Sequence, residues 1–180
     1  MFKPILTVNR VSRVKDVQAA LRALDTLAVY VGVPAAESSR RQVAHEKTKA
    51  GKVQAKVLPA LDTTINNAEL LYIHTHGSPL RHIPARPVIE PAIEDDKVNI
   101  VQELKGAAQA ALVGDRAGAV SGLQRAGQEG ENAARGWFTN PKNNWAPNAP
   151  ATIAAKGSDR PLIDTAQLRK AIIWVLGKEG

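Results

Sequence analysis

The chain has 180 residues, of which 44% are apolar, 23% charged and only 4% aromatic, and it carries a formal net charge of +7. That length accommodates one domain, and with so few aromatic side chains its core is expected to be modest, helix-rich and built from Ala, Val, Leu and Ile. The absence of cysteine excludes a disulfide framework, a thiolate zinc site and a cysteine nucleophile, and no apolar run approaches the roughly 18–20 residues that span a bilayer.

The first ten residues, MFKPILTVNR, lack the apolar stretch of a secretory signal, so a soluble protein made in a reducing compartment is expected. Residues 1–60 hold 11 Lys and Arg against 4 Asp and Glu, whereas residues 61–180 hold 13 of each. The whole positive excess therefore lies in the first third, where it can meet phosphates or an acidic protein surface.

Val14, Val17, Leu21 and Leu24 recur at spacings of three and four, which predicts an amphipathic helix over 14–24 with Ser12 as its N-cap. LAVYVGV (27–33), rich in β-branched residues and closed by Pro34, reads as a strand. Residues 35–60 are polar, basic and poor in large apolar groups. Such a stretch buries too little surface to offset its ordering entropy and is expected to be a mobile loop or arm. Its basic side chains are Arg40, Arg41, Lys47, Lys49, Lys52 and Lys56, opposed between 40 and 56 by Glu46 alone.

A short helix ended by Gly77 is expected within 66–79. The prolines at 84, 87 and 91 then predict an extended connector over 83–93, because proline fixes φ and supplies no amide donor. Residues 94–113 return to helical spacing through Val98, Val101, Leu104, Ala108 and Leu112, with Glu94, Asp95 and Asp96 at the positive N-terminal end. From 114 to 136, small residues recur every fourth position: Gly114, Gly118, Gly122, Ala126, Gly130 and Ala134. Each helical glycine costs up to about 1 kcal/mol relative to alanine, so close approach by a neighbouring helix is the expected return. Residues 139–150 read as loop, and ATIAAKG (151–157) as a helical turn or two ended by Gly157. IDTAQLRK (163–170) reads as a helix capped by Asp164 or Thr165, and AIIWVL (171–176) as a strand. The expected fold is α+β, with about four helices packed on a small, largely antiparallel sheet, extended Pro-rich connectors and the basic loop or arm within one domain.

Catalytic chemistry finds little support. His74, His76 and His82, with Asp95 or Asp96, match no established ligand spacing, and a helix would send His74 and His76 apart. A partly exposed, neutral histidine cluster is expected instead of a metal site. Lys156, Ser158, Asp159, Asp164 and Thr165 contain a nucleophile and carboxylates, but no histidine follows His82 and there is no GxSxG elbow or phosphate loop. Neither enzyme activity nor a cofactor is expected. The basic stretch has no interleaved aromatic on which bases could stack, which leaves non-specific phosphate contact as the nucleic-acid alternative.

Two stretches together resemble a known family. IHTHGSPLRHIPARPVIEPAI (73–93) is similar to the HxxGSP…IPARPFxxPAI segment of tailed-bacteriophage neck and tail-completion proteins, of the minor-tail-protein-Z and virion-morphogenesis type. NWAPNAPATIAAKGSDRPLIDTAQLRKAI (144–172) resembles their closing W-x-P…T…KGs…PLIDTGxLrxSI segment, and the two cover about 50 of the 180 residues. Thr75-His76 stand where an acidic residue and an aromatic are common, Ala166 where glycine is usual, and Ala171 where serine is common.

The resemblance implies a non-catalytic virion protein, made in the host cytoplasm and built into the head–tail junction. There it would form a homo-oligomeric ring, six-fold in preference to twelve-fold. Its partners would be the head connector, the tail tube or tail terminator, and channel DNA through non-specific contact, with no membrane involved. The proline-pinned segment and the loop that follows Trp145 are pre-ordered for contact with a neighbour. Ile83, Pro84, Arg86, Pro87, Trp145, Pro147, Leu162 and Asp164 are therefore the expected interface residues. The basic stretch is expected to clamp an adjacent protein ring rather than line the channel.

Overall fold

The computed structural model describes residues 12–48, 50–62 and 65–178. Among them are seven α-helices and two separate two-stranded antiparallel sheets, an α+β arrangement. In chain order these are α1 (Val14–Asp25), β1 (Leu27–Gly32), β2 (Arg41–Lys47), β3 (Val53–Asp62), α2 (Asn67–His76), α3 (Ile89–Asp95), α4 (Lys97–Leu112), α5 (Arg116–Trp137), α6 (Pro150–Lys156), α7 (Gln167–Ala171) and β4 (Ile173–Lys178).

Helix α5 is the axis of the molecule. Asp115 caps it by accepting the Gly118 N–H at 2.8 Å. It packs against α4, α1, α3 and the β1–β4 ribbon. The small residues make these approaches close. A Cβ on Gly122 would lie 2.6 Å from the Ala107 Cβ and 2.7 Å from its Cα on α4, and one on Gly130 would lie 2.9 Å from Val31 on β1. Gly127 receives the Trp174 ring of β4 in the same way, at 2.7 Å. The expected helix–helix contact is present, and the same stripe also seats a sheet. Gly114 falls outside α5, in the turn after α4, where its φ of +80° is the left-handed conformation that glycine adopts without a Cβ penalty.

β1 and β4 pair from Leu27↔Lys178 to Gly32↔Ile173, joining the two ends of the described chain. Buried Glu131 of α5 accepts the Trp174 N–H at 3.0 Å and pairs with Arg135 at 2.6 Å. Arg135 donates in turn to the Ile172 and Lys170 carbonyls. This network anchors the start of the terminal strand to the axial helix. The main core, Val88, Ala92, Ala134, Trp137, Phe138, Leu168 and Ile172, lies between α3, α5 and α7, with a smaller cluster of Ala20, Ala111 and Ala119 between α1, α4 and α5.

Several expectations are corrected. The basic stretch is not a loose arm: β2 and β3 form a hairpin, paired from Lys47↔Val53 to Val43↔Val57, with a register shift between Arg41 and Val43. Its root is stitched to the domain. Asn67 donates through its backbone to Ser38 and through its side chain to Ser39, Gln167 exchanges two bonds with the Arg41 backbone, and Val53 packs on Gly157. Contacts distant in sequence supply the order that local composition does not.

The connector expected over 83–93 runs without helix only as far as Pro87, and Val88 already has helical backbone angles as the N-cap of α3. Pro91 sits in the first turn of α3, where the amide it lacks has no helical partner to lose. Ser12 does not cap α1, whose N-cap is Arg13 without a side-chain bond. Neither Asp164 nor Thr165 caps α7, which begins after Ala166 in a left-handed conformation. The expected apolar faces of α1 and α4 are also largely turned outward. Ala20, Ala23, Ala107 and Ala111 are buried, while Val14, Leu21, Leu104 and Ala108 are exposed, Val98 is 79% exposed and Leu112 64%. Close packing on the glycine stripe leaves alanine as the only residue type that these two helices bury fully, with Val17, Leu24 and Val101 half-buried and Leu24 against the small cluster.

Candidate functional site

The two stretches that carry the family resemblance meet in space. Arg86, only 6% exposed, donates from Nε and Nη2 to the Ala146 carbonyl (3.1 and 2.8 Å) and from Nη2 to the Pro147 carbonyl at 3.0 Å. Trp145 donates its indole N–H to the Pro87 carbonyl at 3.1 Å and meets Phe138 edge-on, with ring centroids 5.8 Å apart. Upstream, Ser78 and Ile83 form an isolated antiparallel bridge that folds the 78–83 loop back on itself.

Beside this junction lies a cleft of about 1090 Å³. Its walls come from the end of α2, the 79–86 loop, the 147–149 loop and α6. Cationic Arg40, Arg81, Arg86 and Lys156 line it, along with His74 and His82, and among the described residues no carboxylate does. Pro79, Ile83, Pro84, Pro147 and Leu162 supply apolar surface. Five of the eight expected interface residues thus share one concavity: Ile83, Pro84, Arg86, Pro147 and Leu162. Pro87 and Trp145 brace the chain through their mutual bond, and exposed Asp164 accepts from His45 Nε2 of the hairpin at 3.1 Å.

The electrostatics of the cleft follow from an accumulation of positive charge. Burial, then Arg86, then Arg40 lower the His74 pKa from 6.5 to about 4, so its ring is neutral at pH 7. Its Nδ1 is sealed from solvent without a hydrogen-bond partner among the described residues. Burial also lowers the pKa of Arg86 and of Lys156, opposed at Lys156 by Asp164 and Asp159 and reinforced by Arg86. Two lining residues hold left-handed backbone, His82 at φ 53° and Leu162 at φ 56°, a conformation that costs an L residue about 1–2 kcal/mol. Neither position is a glycine, so the surrounding packing enforces both.

His76 turns away from the cleft, donating from Nδ1 to the Tyr72 carbonyl at 2.9 Å and lying against the Tyr72 ring, with centroids 4.2 Å apart. Half-buried His74 and exposed His76 therefore do not act together. Of the basic stretch, Arg40 lines the cleft, Arg41 is held through its backbone by Gln167, and Lys47, Lys52 and Lys56 are exposed on the hairpin; Lys49 lies outside the described residues.

Sequence reasoning passed over Arg81, and weighed His74, His82 and Lys156 only as metal-ligating or catalytic candidates and not as parts of one cleft. A signal for part of it is present: residues 74–86 hold two arginines and three histidines and no acid. Lys156 is brought in by α6, from seventy residues further along the chain. Comparison with protein-family models, with curated proteins and with solved structures finds no match.

Proposed function

We propose that the protein is a structural subunit of a tailed-phage neck, completing the tail or joining it to the head connector as a member of a homo-oligomeric ring. The observation that carries the assembly part of this reading is the outward apolar face of α1 and α4. Val14, Leu21, Val98, Leu104, Leu112 and Val113 are all exposed, while the same helices bury only alanines against α5. A helix pair that exposes most of its larger aliphatic groups and buries alanines leaves apolar area for a neighbour to cover. The neck assignment rests on the two family-like stretches, which support it further by packing into a single block around Arg86 and Trp145.

A ring requires two different complementary faces on each subunit, because its contacts run head to tail. Negative-stain imaging and light scattering of the purified protein test the reading: closed rings are expected, with six-fold favoured over twelve-fold. Leu104→Glu with Leu112→Glu should dissolve the rings and leave the melting of the monomer nearly unchanged. A protein that stays monomeric at high concentration, and binds duplex DNA at physiological salt with a steep salt dependence, would instead favour a nucleic-acid module acting through the basic first third.

A further inference from the structure

Arg86 forms no salt bridge with any described residue. It is 6% exposed, and its guanidinium is held by two backbone carbonyls; its Nη1 group meets no acceptor among the described residues. A buried cation normally keeps an anionic partner, since its lost hydration is not restored by neutral acceptors alone. Arg81 and Lys156 line the same cleft, and neither forms an ion pair with any described residue; Lys156 donates to the Arg160 carbonyl at 2.5 Å. Asp164 and Asp159 act on Lys156 without forming an ion pair with it, and Asp164 is already engaged by His45.

We infer that this cleft docks an acidic segment of another polypeptide, one of whose carboxylates completes the coordination of Arg86 while Arg81 and Lys156 flank it. With Nε and Nη2 engaged by the carbonyls, the Nη1 group of Arg86 is left to donate to a carboxylate oxygen, and the Arg81 guanidinium offers a paired donor edge beside it. The apolar lining decides between acidic peptide and nucleic acid. Ile83, Leu162 and the prolines offer contact to aliphatic side chains, and among the described residues no Phe, Tyr or Trp lines the cleft as a stacking platform for a base. The volume, about 1090 Å³, lies at the upper end of the range of small-molecule pockets and gives room for a short stretch of chain. The inference goes beyond the neck reading: docking of a peptide is a property of the subunit and does not depend on ring closure.

The test uses the full chain and a fluorescein-labelled hexapeptide of alternating glutamate and leucine, followed by fluorescence anisotropy. Saturable binding is expected, with the glutamine counterpart about tenfold weaker because its amide carries no charge for the cleft to meet. Arg81→Gln and Lys156→Gln should each weaken binding by about three- to tenfold with unchanged circular dichroism; Arg81→Gln should also leave the melting unchanged, while Lys156→Gln gives up only its bond to the Arg160 carbonyl. These two variants are preferred to Arg86→Gln, which would also loosen the 146–147 loop. Equal affinity for the glutamine peptide, or indifference to both variants, would overturn the inference. So would a thymidine oligonucleotide that binds more tightly than the glutamate peptide and is weakened by the same substitutions. Ring formation is measured separately by light scattering, so rings without peptide binding would sink this inference alone.

Discussion

Gly122→Ala separates close helix packing from helix propensity. In an isolated helix the substitution would be favourable by up to about 1 kcal/mol, because alanine restricts the unfolded chain and suits the helix. In the folded protein the new methyl would sit 2.6 Å from the Ala107 Cβ, 2.7 Å from its Cα and 2.8 Å from its N. Ordinary carbon–carbon contact begins near 3.5 Å, so α4 and α5 must part by most of an ångström along their contact. Two of the three atoms are backbone and cannot swing aside. Overpacking of this kind costs about 1–3 kcal/mol or more, so the net effect should be a loss of about 1–2 kcal/mol. At about 2–4 °C per kcal/mol for a chain of this size, the melting temperature should fall by several degrees.

Gly136→Ala is the matched control. It lies on the same helix with nothing within 4 Å of its added Cβ. Close to the helix end, it should gain about 0.5 kcal/mol. Thermal melts of the two variants beside the parent protein decide the matter. If Gly122→Ala melts as high as Gly136→Ala, the glycine stripe is not held by close approach and the packing described for α5 is wrong.

The pH dependence should carry a contribution from His74: the unfolded chain takes up its proton near pH 6.5 and the folded protein only near 4, so stability is lost as pH falls through that window. The fall from 6.5 to about 4 corresponds to about 3 kcal/mol, reduced to about 1–2 kcal/mol by solvent screening at an open cleft, and urea titrations of His74→Asn should show a shallower slope between pH 6.5 and 4 than the parent protein. Glu131→Ala removes the acceptor of the Trp174 N–H and the partner of Arg135, and should cost about 2–3 kcal/mol in chemical denaturation; a loss below about 0.5 kcal/mol would show that β4 is anchored by its pairing with β1 alone. Deleting residues 38–56 removes the Ser38, Ser39 and Arg41 anchors and the Val53 contact, so a marked fall in melting temperature is expected; an unchanged melt would restore the independent-arm reading.

Local chemistry in the sequence determined most elements of this protein. Spacing marked α1, α4 and α5, β-branched runs marked β1 and β4, and Gly77 and Gly157 end α2 and α6 because each closes its helix with a positive φ. The four-residue recurrence of small side chains foretold a close neighbour for α5, since glycine is otherwise a cost to a helix.

Tertiary structure alone decided which faces went inside. Hydrophobic periodicity pointed Val98, Leu104 and Leu112 toward the core, but the glycine stripe of α5 brings α4 so near that only its alanine face fits. The β2–β3 hairpin was likewise hidden: its order comes from Asn67, Gln167 and Gly157, residues that no window over 35–60 contains. The basic cleft needed the same long-range assembly, because Arg86 and Lys156 become neighbours only when the 146–147 carbonyls close on the guanidinium. Sequence periodicity reports what a segment prefers by itself, and the competition among segments for one small core settles the rest.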